Sequence, residues 1–203
     1  MIIVDNGRLM GADVGRGSKL DCAVDSALNL ARVVLQSGDR CGMAAYDRQV
    51  LGFLPPIAGT SALRSLTSCV YDLQTQWHES DFTTMLAELR ARQAKRTFLI
   101  VLSDLGDVET SKRTCASLIQ LQKQHLVLFA ALRTPVLGRI VHEPITETLD
   151  ASRKAVAFRL MRDRREALQA LIHNGVHVVD VEPTQLTTPL INQFIELRQR
   201  NML

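Results

Sequence analysis

Two unbroken apolar runs in this chain each end on a carboxylate. Met1-Ile2-Ile3-Val4 leads into Asp5, and Phe98-Leu99-Ile100-Val101-Leu102 leads through Ser103 into Asp104. Apolar runs without alternation read as strands covered on both faces, the signature of a parallel sheet. In open α/β sheets, ligands bind in the crevice outside the carboxyl ends of the strands. Asp5 and Asp104 are therefore predicted at the edge where such a fold places its chemistry.

The pattern between and after these runs alternates strands and helices. Residues 7–17 are glycine-rich and polar, a loop. Leu20, Val24, Ala27, Leu28, Ala31 and Leu35 then make a helical stripe over 18–37, with Ser18 as N-cap and Gly38 as C-cap. Cys41 to Tyr46 and Val50 to Phe53 read as a strand pair around the Asp47-Arg48 turn, with Pro55-Pro56 ending the second strand. Helices are predicted over about 60–74 and 81–95, a strand over 97–103, a helix over about 109–124 and a strand over 126–132. Residues 133–148, with Pro135, Gly138 and Pro144, read as an irregular loop. A helix over about 150–173, a strand over 176–181 and a helix over 184–200 close the chain. This order predicts an α/β, mostly parallel, three-layer sandwich forming one domain over residues 1–203. A central strand starting at residue 1 suggests an abrupt natural start or a domain from a longer chain.

Composition narrows the function. Of 203 residues, the first half carries 11 basic against 10 acidic residues and the second 13 against 11, so no global field favours nucleic acid or a membrane surface. Aromatic residues are few and not interleaved with basic ones, which argues against base stacking. Cys22, Cys41, Cys69 and Cys115 include no C-x-x-C pair; they read as reduced core thiols, consistent with a cytoplasmic setting. No apolar run approaches 18 residues.

Several segments resemble a known family. Val4-Asp5-Asn6-Gly7-Arg8-Leu9-Met10 is similar to the first strand and loop of a von Willebrand factor A-like domain. Gly38-Asp39-Arg40-Cys41-Gly42 resembles the G-D-R-x-G turn of the bacterial "domain of unknown function 58" family, which uses that domain. Leu54-Pro55-Pro56 with Gly59, Ser80-Asp81-Phe82 and Leu102-Ser103-Asp104-Leu105 resemble its P-P-x-x-G, T-D-L and S-D-hydrophobic segments. Matches near Gly175–Asp180 and Leu190–Phe194 extend the likeness almost to the end. The resemblance implies a Rossmann-like sheet with one antiparallel edge strand. It also implies a non-enzymatic interaction domain working with a MoxR-type AAA+ ATPase or its client in assembly or chaperone-like work. Membrane attachment, where it occurs, is implied to come through segments absent from this chain.

Such domains typically hold Mg²⁺ at a metal-ion-dependent adhesion site, D-x-S-x-S followed by a Thr and an Asp. By position, Asp5, Ser80 and Asp104 match the first Asp, the Thr and the last Asp. Gly7 and Leu9 occupy the serine positions, so two oxygen ligands are missing and the site is degenerate, with any Mg²⁺ held weakly. Arg8 is predicted to replace the cation by neutralising the two aspartates. The partner surface is predicted at Asp5, Arg8, Ser80, Asp81 and Asp104.

The same residues have plainer readings: strand-end hydrogen bonding for Asp5 and Asp104, helix capping for Ser80, and first-turn or turn carboxylates for Asp81 and Asp107. The alternative activity is a metal-assisted α/β phosphohydrolase using Asp5 and Asp104, though no phosphate-cradling glycine loop, nucleophile or spaced base accompanies them. Two further features stand out. Arg153, Lys154, Arg159, Arg162, Arg164 and Arg165 form a basic cluster, read as the solvated face of a helix or as a docking face for an acidic partner or anionic lipid. Trp77 lies just before Ser80, as an interface anchor or a core edge. The scattered histidines show no zinc spacing.

Overall fold

The computed structural model describes residues 1–203 except Gln76, Asp107, Thr146, Asn201 and Leu203. Six strands form one sheet: β1 (Ile2–Asp5), β2 (Cys41–Tyr46), β3 (Val50–Ile57), β4 (Phe98–Ser103), β5 (Leu126–Leu132) and β6 (His177–Val181). Their order is β3-β2-β1-β4-β5-β6, with β3 antiparallel to β2 and every other pairing parallel. The helices are α1 (Lys19–Gln36), α2 (Ala62–Val70), α3 (Phe82–Arg92), α4 (Val108–Gln122), α5 (Pro135–His142), α6 (Thr148–His173) and α7 (Thr187–Gln199).

Alternate strand residues build two cores. Ile2, Val4, Ile100, Leu102, Leu128 and Ala130 pack with α1, α2 and α7 on one face. Ile3, Leu99, Val101, Val127 and Phe129 pack with α3, α4 and α6 on the other. The three-layer prediction holds. The chain runs from β1 to one side of the sheet and returns to β4 on the other, so the strand order reverses between β1 and β4. That switch point opens a crevice at the strands' carboxyl ends, where Asp5 and the Ser103-Asp104 pair emerge.

Three element predictions need correction. β3 runs through Pro55 and Pro56 instead of stopping there. It is an edge strand, where a missing N–H is tolerated, and the register shifts between Cys41 and Met43 beside the two prolines. Gly42 permits this, because a Cβ there would stand 2.7 Å from the Leu54 carbonyl and 2.8 Å from the Pro56 nitrogen. Residues 135–142, predicted as loop, form α5, with Pro135 in its first turn. Ser80 is not the cap of α3: Asp81 is, accepting from the Thr83 N–H at 2.9 Å.

Candidate functional site

Asp5 ends β1 with both carboxylate oxygens engaged. Oδ1 accepts from the Gly7 N–H at 2.8 Å and from the Ser80 hydroxyl, and Oδ2 accepts from the Ser103 hydroxyl at 2.5 Å. Burial pushes the Asp5 carboxyl above its ordinary value, and the bonds from Ser103, Ser80 and Gly7 pull against that rise. Tyr46, fully buried at the end of β2, closes the floor; burial and the neighbouring Asp5 raise its phenol well above its ordinary value. Its ring meets Phe82 of α3 edge-on at 5.5 Å.

Asp104 is clasped from both layers. Lys19, the first residue of α1, brings its ammonium to Oδ2, and the Thr134 hydroxyl donates to the same oxygen at 3.1 Å. Lys19 Nζ also donates to Thr134 Oγ1 at 2.6 Å. From α6 on the opposite face, Arg164 reaches Oδ1 and extends to Asp180 at 3.1 Å, which Arg133 contacts at 3.2 Å. The Lys19 side chain is 0% exposed and that of Arg164 13%. Burial lowers the Lys19 ammonium and the adjacent Asp104 raises it in opposition.

The structure brings Asp5, Ser80 and Asp104 together around one crevice, whose lining also includes Arg8, Leu9, Glu79 and Thr114. Arg8 does not play the predicted part. Its guanidinium pairs with Glu79 at 3.4 Å with both side chains substantially exposed, and its N–H donates to the His78 carbonyl at 2.7 Å. The countercharge instead comes from Lys19, which sequence reading passed over, and from Arg164, which it grouped with a solvated basic face. Asp81 stands on the rim as the α3 cap, with its N–H on the Asp47 carbonyl at 2.8 Å. Burial pushes its carboxyl up, but bonds from Thr84 and Thr83 outweigh this and hold it below the ordinary value. Asp107 lies outside the described residues. Trp77 is 91% exposed, so it is no core edge.

The donor set does not fit a hydrated Mg²⁺. The crevice holds about 20 Å³, room for about one water, whereas Mg²⁺ usually keeps several. Asp104 already faces two cations. The position of the first motif serine is filled, because a Cβ on Gly7 would overlap the Ser80 hydroxyl. Leu9 packs so closely on Gly106 that a Cβ there would stand 2.5 Å from its Cδ1. Among the described residues, no group of three His, Cys, Asp or Glu side chains is placed to hold a metal ion. Both aspartates are committed to internal partners.

The strand order, with one antiparallel edge strand and helices on both faces, is that of a von Willebrand factor A-like domain. The chain belongs to the family described as "Protein of unknown function DUF58", whose profile matches residues 1–171. No curated protein matches the sequence. Among solved structures, an aerotolerance-related membrane protein from Bacteroides fragilis, carrying multiple mutations to serine, is similar at TM-score 0.59 and 16% identity, with 96% of each chain covered. The SpRpn10 VWA domain gives 0.57 and 14%, covering 95% of this chain and 92% of that one. BatB from Bacteroides thetaiotaomicron gives 0.53 and 15%, covering 98% and 97%. At these identities the likeness establishes the fold. Among the described residues, no helix is long and apolar enough to cross a membrane.

Proposed function

We propose that this domain is a non-enzymatic docking module whose partner, a MoxR-type AAA+ ATPase or its client, binds at the carboxyl edge of the sheet. The observation that carries this reading is the contrast between crevice and rim. Inside, the carboxylates of Asp5 and Asp104 are saturated by the chain's own donors. Outside, Trp77 is 91% exposed, two residues before Glu79, whose carboxylate meets Arg8 in a half-open pair. An exposed indole with a polar surround is the usual composition of an interface hot spot. Asp5, Ser80, Asp81 and Asp104 act in this reading by setting the shape of the rim, and Arg8 by direct contact. The proposed setting is the cytoplasm, where the four unpaired cysteines remain thiols.

Biolayer interferometry against the MoxR-type ATPase encoded nearest to this protein's gene tests the proposal. Trp77→Ala is expected to weaken binding by about 2 kcal/mol, or roughly thirtyfold, as for a hot-spot aromatic. Arg8→Glu is expected to weaken it by a smaller factor without altering the melting temperature. Absence of binding by the wild-type chain, or equal binding by Trp77→Ala, overturns the reading.

A further inference from the structure

Von Willebrand A-like domains are expected to hold a bridging cation in this crevice, but the chain brings cations of its own. We infer that Lys19 is a built-in cation: its ammonium supplies to Asp104 the positive charge that a divalent ion would bring to the switch point, so docking at this edge requires no metal. The docking clause rests on the proposed function; the clause about the crevice stands on geometry alone.

Lys19 Nζ is bonded to a carboxylate oxygen of Asp104 and to the hydroxyl oxygen of Thr134, 2.6 Å away. Carboxylate and hydroxyl oxygens are the ligands a hard divalent cation takes. An ammonium offers three donors to such oxygens without needing a shell of water. Charge is balanced as well. Asp5, Asp104 and Asp180 stand against Lys19, Arg164 and Arg133. A dication added beside the buried Lys19–Asp104–Arg164 cluster would leave its positive charge uncompensated there, at a heavy desolvation cost.

The ammonium is also held firmly in place. Ser18 and Asp21 close a capping box at the start of α1, with the Ser18 N–H donating to Asp21 at 2.7 Å and the Asp21 N–H to Ser18 at 3.1 Å. This fixes the first helical residue, Lys19, against the sheet. Arg164 closes the other side of Asp104 from α6. Ser80 fills the space over Gly7, so the position of the first motif serine is taken by a side chain of the chain itself.

Mn²⁺, a paramagnetic probe of Mg²⁺ sites, tests the inference on the full chain by electron paramagnetic resonance and thermal melting. The wild type is expected to show no saturable Mn²⁺ binding and the same melting temperature in Mg²⁺ and in EDTA. Lys19→Ala is expected to melt lower, to bind Mn²⁺ at least tenfold more tightly than wild type, and to regain part of the lost melting temperature when the ion is present. Asp104→Ala in the same background is expected to abolish that binding. Should Lys19→Ala fail to fold, Lys19→Gln, which leaves an amide oxygen near Asp104 and Thr134, is expected to show the same gain. A saturable wild-type site lost on Asp104→Ala overturns the inference. So does a folded Lys19 variant that loses no stability or never responds to Mn²⁺. Partner binding that persists in EDTA supports the docking clause, and binding that EDTA abolishes overturns it. If no partner binds under either condition, the proposed function fails, and the Mn²⁺ measurements still decide the assignment of Lys19.

Discussion

Asp5 shows how a buried carboxylate can be accommodated without a cation of its own. Two hydroxyls and one N–H satisfy it, yet burial still raises its proton affinity. The folded chain then holds that proton more tightly than the unfolded chain does. The contribution of Asp5 to stability is therefore full below the ordinary carboxylate range and is lost as pH rises through the raised value. Asp5→Asn removes this dependence at small structural cost. Its amide nitrogen would donate to Ser103 Oγ, whose own proton can turn to the Asp104 carbonyl 3.2 Å away. The stability of Asp5→Asn relative to wild type is expected to improve as pH rises from about 4 to about 7, measured by urea melts; a difference that stays flat with pH would contradict the burial effect. Gly7 gives a second residue-scale prediction. Its φ of −77° suits any residue, so space alone demands glycine. Gly7→Ala is expected to cost about 1–3 kcal/mol through overlap with Ser80. In a double-mutant cycle, Ser80→Gly is expected to recover part of that cost.

The elements explain what the sequence disclosed and what it withheld. The strand-ending aspartates were legible because continuous apolar runs have a single simple reading, and the helix N-cap at Ser18 because its capping chemistry is local. Lys19 was missed because a lysine in a first turn reads as solvated. The signal was present: Lys19 lies on the arc of Ala23, Ser26, Ala27 and Leu30, all buried, so the 3.6-residue period turned it inward. Arg164 was misjudged for a similar reason. It shares a face with Ala157, Leu168 and Leu171, the buried residues of α6, while Arg159, Arg162 and Arg165 remain outside. Charge density along the chain concealed which arginine faced the sheet. α5 was unreadable because it buries no residue fully, and β3 outlasted its prolines because only the tertiary arrangement makes it an edge.

Across the whole molecule, one carboxylate fastens three layers: α1 above, β4 between and α6 below, all meeting at Asp104. Removing one partner from a buried ion pair typically costs about 3–5 kcal/mol, because a charge is left behind without compensation. These contacts also span great distances along the chain, 85 residues from Lys19 to Asp104 and 60 from Asp104 to Arg164. Their loop closure comes late, after both crossovers have docked. Contacts missing from the transition state govern escape from the native state and leave its formation nearly untouched. Stopped-flow kinetics of Asp104→Ala are thus expected to show unfolding accelerated about a hundredfold for a loss of about 3 kcal/mol, with refolding little changed; slowed refolding would mean that the clasp forms early. In this sense the charged clasp is a timer. It lengthens the lifetime of the folded domain, and with it the time for which the rim is held ready at the end of the sheet.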